Sequence, residues 1–196
     1  MSDSVSQLFW DSCVFYAFLA DDRASYDIDS IAQYIQEAKA GKHKIYASTL
    51  VLAEVTPNAI KKAGTGGFQE FIDDLQGAVV LVDPTPNIMH LAARLKDLPY
   101  KKGNGKRRLS TQDAIMLASC VNVAEGHNVK INFFHTFDDG KKRDPVDGKM
   151  VPLISFEDWC EGFTPEQMAT AQPVINLNRR KPIHPAPILP GVGEPQ

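Results

Sequence analysis

Ala78-Val79-Val80-Leu81-Val82 is an unbroken apolar run following Gly77. A short run rich in β-branched residues reads as a strand covered on both faces, which demands helical layers above and below it. The rest of the chain offers them. Leu8 to Trp10 is a second buried strand, followed by an apolar helix over Val14 to Leu19. Asp29 or Ser30 caps a helix with Ile31, Tyr34, Ile35 and Ala38 on one face, stopped by Gly41. Lys44 to Ser48 is the next strand, and Thr49 caps a helix that carries Glu54 and is disturbed at Pro57.

Gly64 to Gly67 reads as a loop and Phe68 to Gln76 as a helix. A helix from Pro86 to Lys96 follows the long apolar run, and Ser110 starts another through Ala124, ended by Gly126. Val129 to Thr136 is a strand, with Val151 to Ile154 as a candidate last one. Strands alternating with helices predict an α/β fold around a parallel sheet.

The pattern changes near the C-terminus. Six of the 13 prolines fall between Pro173 and Pro195. We therefore expect one domain over 1–160. Over 161–196 we expect a short helix begun at Thr164-Pro165-Glu166-Gln167 and a Pro-rich extended tail not needed for the fold. A chain of 196 residues is long enough for one cored domain of this kind. No apolar stretch approaches the roughly 20 residues of a membrane span, and Met1-Ser2-Asp3-Ser4 carries no signal-like pattern. Cys13, Cys120 and Cys160 form no CxxC pair and read as reduced thiols, so a cytoplasmic protein is expected.

Four carboxylates stand out because each lies beside apolar sequence, where an uncompensated charge is costly. Asp11 closes Leu8-Phe9-Trp10, Glu54 lies in Leu50-Val51-Leu52-Ala53-Glu54-Val55, Asp113 follows Ser110-Thr111-Gln112, and Asp138 follows Phe137. In an open α/β sheet, ligands bind beyond the carboxyl ends of the strands. Asp11 and Asp138 sit at such ends, and Glu54 and Asp113 lie in the first turns of helices starting from the same edge. A shared Mg²⁺ or Mn²⁺ accounts for all four, since these cations take hard oxygen ligands. Each acid also has a local role open to it. Asp113 stands at capping-box spacing from Ser110, Asp138 opens the turn Asp138-Asp139-Gly140, and Glu54 could pair with Lys61 or Lys62.

The net charge of −3 hides an uneven distribution. Eleven of the 21 basic residues fall in three clusters: Lys101, Lys102, Lys106, Arg107 and Arg108; Lys141, Lys142 and Arg143; and Arg179, Arg180 and Lys181. The first precedes Asp113 and the second follows Asp138. Positive charge beside a metal site suits a polyanion, and Lys106, Arg107, Arg108, Lys141, Lys142 and Arg143 are the expected substrate contacts. Solvated loops would give the same composition.

The segments Phe9-Trp10-Asp11-Ser12-Cys13-Val14, Ala47-Ser48-Thr49-Leu50-Val51-Leu52-Ala53-Glu54-Val55, Leu109-Ser110-Thr111-Gln112-Asp113-Ala114-Ile115 and Thr136-Phe137-Asp138 together resemble the PIN-domain family, which includes VapC-type toxins. The first motif usually reads Asp-Thr-Asn or Asp-Ser-Ser; here it is Asp11-Ser12-Cys13. The resemblance implies a three-layer α/β/α sandwich with a central parallel sheet. It also implies a Mg²⁺- or Mn²⁺-dependent endoribonuclease acting on RNA, with Asp11, Glu54, Asp113 and Asp138 as metal-binding catalytic residues. Ser12 and Thr136 would support the metal shell by hydrogen bonds. Family habit adds a homodimer and, for a toxin, an antitoxin protein as partner. A second reading is a non-catalytic PIN module that binds RNA or a protein. A haloacid-dehalogenase-like enzyme would want an acid where Cys13 stands.

The remaining residues read as structural. The five histidines show no metal-ligand spacing, and His135 reads as a strand residue. Asp21-Asp22 reads as a loop, Asp139 as part of a turn, and Trp10 and Phe137 as core. Cys13 has no base beside it in sequence, so no thiol nucleophile is expected.

Overall fold

The computed structural model describes residues 5–55, 73, 77–140 and 149–185. The expected helix over Phe68–Gln76, apart from Asp73, lies outside these residues. So do the loop at Gly64–Gly67, Pro57, the Lys61 and Lys62 pairing, the basic cluster Lys141-Lys142-Arg143, and the tail beyond Pro185.

Strands β1 (Ser6–Trp10), β2 (His43–Ser48), β3 (Val79–Val82), β6 (Ile131–His135) and β7 (Arg179–Arg180) form one sheet in the order β3-β2-β1-β6-β7. Every neighbouring pair in it is parallel. Helices α1 (Ser12–Leu19) and α2 (Ile28–Lys39) cover one face, packing Val14, Phe15, Ile31 and Ile35 against Leu8, Trp10, Ile45 and Ala47. Helices α4 (Pro86–Lys96), α5 (Thr111–Val121) and α6 (Pro165–Ile175) cover the other, where Ile88, Leu95, Met116 and Val174 meet Phe9 and Phe134. The alternation Leu8/Phe9/Trp10 sends successive side chains to opposite faces, as a strand buried between two layers must. The expected α/β three-layer sandwich with a central parallel sheet is the architecture found.

Several ends follow from local chemistry. Thr85 Oγ1 accepts from the Ile88 amide ahead of Pro86, so α4 begins where the sequence places it. Thr164 and Gln167 close a reciprocal capping box on α6. Helix α2 begins earlier than expected: its cap is Asp27, whose Oδ1 accepts from the Ser30 amide at 3.1 Å, rather than Asp29 or Ser30. Thr49 does not cap the single turn α3 (Val51–Glu54). Its amide instead donates to the Val82 carbonyl at 3.0 Å and extends the sheet.

Three further expectations are corrected. The Ala78–Val82 run is an edge strand of the described sheet, and its Val79–Val82 side chains are only half-buried. An apolar run reports burial of faces, not lateral position. Loop 101–108 contains a small antiparallel hairpin of β4 (Lys101–Lys102) and β5 (Gly105–Lys106). Val151–Ile154 is not a strand: Val151 and Leu153 are buried, and the Val151 amide donates to the Arg108 carbonyl at 2.9 Å.

The last strand is Arg179–Arg180, part of the third basic cluster of the sequence. Arg179 is only 9% exposed, and its Nε donates to the Leu153 carbonyl at 2.8 Å. Its guanidinium also meets Glu157 and the carbonyls of Val174 and Leu177. Arg180 lies over the Phe133 ring, 3.5 Å from its centre. The boundary drawn after residue 160 therefore falls inside one packed core. Helix α6 packs on both α4 and α5 with Ala171 and Val174 fully buried, and Pro173 is within it. Residues 161–185 complete the domain rather than trail from it.

Candidate metal centre

Strand β1 lies between β2 and β6, so the chain leaves the sheet in opposite directions on its two sides. That is the switch point at which open α/β sheets form a crevice. β1 and β6 end in register, Trp10 beside His135, and the Asp11 amide donates to the His135 carbonyl at 3.0 Å. Asp11 is thereby fixed at the crevice. β2 ends at Ser48 and leads into α3, which carries Glu54 at its last position. Helix α5 starts at the same edge and presents Asp113 in its first turn. Asp138 follows β6. All four acids line one open cavity of about 1040 Å³.

Asp11 is nearly buried and densely bonded. Thr136 Oγ1 donates to its Oδ2 at 2.7 Å, Cys13 Sγ to the same oxygen at 3.1 Å, and Ser12 Oγ to Oδ1 at 3.3 Å. Thr136 Oγ1 also accepts from the Asp138 amide at 3.1 Å, so one hydroxyl orders two of the acids. Cys13 therefore bonds the Asp11 carboxylate directly. Its sulfur also accepts from the Phe137 amide at 3.2 Å. Burial, then the Asp11 charge, push the Cys13 thiol well above its ordinary pKa, so it remains a protonated donor rather than a nucleophile.

Glu54 differs from the other three. Burial raises its pKa, the Ser12 hydroxyl bond opposes this, and the neighbouring Asp11 charge raises it further. Its Oε2 is buried with no hydrogen-bond partner among the described residues. A buried carboxylate oxygen beside a second carboxylate is an arrangement that a cation relieves. Asp113 and Asp138 carry local duties as well. Ser110 Oγ donates to Asp113 Oδ2 at 2.6 Å while accepting from the Asp113 amide at 2.9 Å. Asp138 Oδ2 accepts from the Leu153 amide at 3.3 Å.

The acids share a cavity but do not close into a tight cage. Among the described residues, the trio whose ligand atoms all lie within 4.8 Å of one another is Glu37, His43 and His184, which could hold a metal ion. Carboxylates on a common octahedral ion would have oxygens about 3–4 Å apart. This geometry therefore suits an ion bound directly by one or two of the acids, with water reaching the rest.

Lys106, Arg107 and Arg108 do not enter the acid cavity. With Lys101 and Lys149 they line a second one of about 780 Å³. Arg107 lies 4.2 Å from the centre of the Trp159 ring and donates to the Met150 carbonyl at 3.0 Å. Both cavities border the same two segments, through Arg108 and Ser110 and through Lys149 and Met150. Lys141, Lys142 and Arg143 lie outside the described residues.

Sequence reasoning passed over several cavity residues. Asp22, read as a loop, lines it, as do Tyr26, Asp27 and Lys181, and Lys181 Nζ bonds Asp139 Oδ2 at 2.7 Å. Phe137 packs against Tyr26 on the cavity wall, ring centres 4.3 Å apart and planes tilted by 46°, whereas Trp10 is wholly core. The acid segment Asp21-Asp22 beside an aromatic was the available signal. The histidine cluster gave none, since Glu37 and His184 are 147 positions apart. No family model, curated protein or solved structure matches the chain.

Proposed function

We propose that this chain is a Mg²⁺- or Mn²⁺-dependent endoribonuclease of the PIN type, hydrolysing RNA phosphodiester bonds. The observation that carries the reading is the convergence of Asp11, Glu54, Asp113 and Asp138 on one cavity at the sheet's switch point, with a buried oxygen on Glu54 that has no hydrogen-bond partner among the described residues. The donor set fits a hard dication. Asp11 and Glu54, whose charges repel, would hold it, and Asp113 and Asp138 would act on its water shell. When bound, such an ion supplies a water of lowered pKa and stabilises the leaving oxygen.

The protein's own contributions can be assigned. Thr136, Ser12 and Cys13 orient the Asp11 carboxylate by donating to it. The cationic cavity of Lys106, Arg107 and Arg108 borders the acids and suits the flanking phosphates of a strand. The Tyr26–Phe137 pair offers an aromatic surface beside the acids for an unpaired base. An intracellular toxin with an antitoxin partner, working as a homodimer, is the biological setting that the family resemblance suggests.

The test is cleavage of a labelled single-stranded RNA with Mg²⁺ or Mn²⁺, with and without EDTA, by the wild type and by Asp11→Asn. The expected result is metal-dependent cleavage, lost in the variant. Activity surviving both chelation and the substitution refutes the mechanism. A non-catalytic RNA- or protein-binding module is the second reading, favoured by the local bonds that occupy Asp113 and Asp138. It predicts RNA or protein binding by the wild type without cleavage under any of these conditions.

A further inference from the structure

At the opposite end of the sheet from the acid cavity, His43 opens β2 and Glu37 lies in the last turns of α2. His184 comes to them from beyond β7. His43 Nε2 lies 2.7 Å and His184 Nε2 2.9 Å from the same oxygen, Glu37 Oε2. The three side chains are about one-fifth exposed or less. The other oxygen, Oε1, accepts from Gln33 Nε2 at 3.3 Å, which turns Oε2 toward the histidines.

The ring of His184 has a defined tautomer. Its Nδ1 lies 2.9 Å from the Pro185 carbonyl oxygen, which can only accept. Nδ1 therefore carries hydrogen, and in the neutral ring Nε2 presents a lone pair to Glu37. A lone pair facing a carboxylate oxygen is repulsive unless a cation, either a proton or a metal ion, lies between them. A backbone carbonyl fixing Nδ1–H so that Nε2 can ligate is the common supporting arrangement of metal-binding histidines. Tyr34 packs against both rings, 5.5 Å from His43 and 4.7 Å from His184, and restricts their rotation.

From these observations we infer that Glu37, His43 and His184 form a binding site for a divalent d-block cation, Zn²⁺ foremost, which fastens the 181–185 strap to helix α2. Two imidazole nitrogens and one carboxylate oxygen are a donor set that suits zinc and selects against Mg²⁺. On a tetrahedral zinc, ligand atoms would sit about 3.3 Å apart. The observed separations require an opening of about half an ångström. The strap is already docked along one face of α2. The Tyr34 hydroxyl donates to the Ile183 carbonyl at 3.3 Å, and the His184 amide donates to Ser30 Oγ at 2.9 Å. The same strap carries Lys181 and Ile183 to the rim of the acid cavity. An ion at this end would hold a wall of that cavity in place without touching the acids.

Cobalt(II) provides the test, because four-coordinate nitrogen-bound cobalt absorbs strongly in the visible and an all-oxygen octahedral site does not. The full chain is stripped with EDTA, exchanged into chelator-free buffer and titrated with Co²⁺, and Zn²⁺ is then used to displace it. Wild type and Asp11→Asn should both show one intense absorbing site, bleached by one equivalent of Zn²⁺. Zinc should raise the melting temperature of both. In His184→Ala, and separately in Glu37→Gln, affinity should fall by at least about 100-fold, since even a partner of a ligand is worth 10–100-fold. His184 lies near the end of the described chain, so the alanine variant preserves the core. If the wild type binds no tighter than His184→Ala, the inference fails, and the three groups share protons instead. Absorbance that disappears in Asp11→Asn also overturns it, by assigning the cobalt to the acid cavity. Because Asp11→Asn removes the proposed nuclease, the two readings fail independently.

Discussion

Replacing His135 by Phe should make the protein less sensitive to acid. His135 is fully buried on β6, its ring stacked at 5° to Phe133 and set against Tyr34 at 5.0 Å. Neither ring nitrogen has a hydrogen-bond partner among the described residues. Burial foremost, then the charges of Arg180 and His43, lower its pKa to about 3. The folded ring therefore stays neutral where the unfolded one, near 6.5, takes up a proton. The unfolded state binds more protons between these values, so this contribution is intact above about pH 6.5 and is lost as pH falls toward 3. From about pH 7.5 to about pH 5 the linkage relation gives a loss of about 2 kcal/mol, a sizeable share of a typical domain's stability. Phe keeps the stack and cannot titrate. At neutral pH, relief of a buried unsatisfied N–H, about 1–3 kcal/mol, is offset by a similar cost of overpacking, so little net change is expected. Urea denaturation of both proteins at the two pH values, with EDTA present so that no metal contributes, measures the difference. Equal losses in wild type and variant would refute the reasoning.

Two further outcomes follow from the packing. Replacing Lys106, Arg107 and Arg108 by Ala in an Asp11→Asn background should weaken RNA binding and flatten its salt dependence, read by titration at two salt concentrations. Unchanged affinity and slope would remove this cavity from the substrate path. Deleting residues 173–196 should unfold the protein or cost several kcal/mol, because it removes Val174, strand β7 and the buried Arg179 contacts. A melting temperature within about 3 °C of wild type would show that the edge strand is dispensable.

The layers and the acid crevice were legible because they depend on local rules. Helix α4 was marked by Pro86 at its start, β1 by apolar residues ended by a carboxylate, and each acid by its place at the end of a strand or the start of a helix. Other features depend on contacts that periodicity does not encode. Arg179–Arg180 has no apolar alternation, and Arg179 is buried through carbonyls that only the finished fold supplies. Cys13 departs from the residue types that the family resemblance leads one to expect, yet it bonds Asp11, because a thiol held protonated by burial can donate. The Glu37–His43–His184 cluster exists only once the strap has crossed α2.

The order of strands in the sheet has a consequence during synthesis. β6 is made well before β7, yet β7 is the strand that covers its outer edge. A chain elongating at roughly 5–20 residues per second needs a few seconds to make the intervening residues 136–178. During that interval Phe133 and Phe134 lie on a strand whose outer amides and carbonyls are unpaired, a template for another nascent chain. A released chain truncated within α6 would remain in that state, with its four cavity acids present and its sheet still open to association.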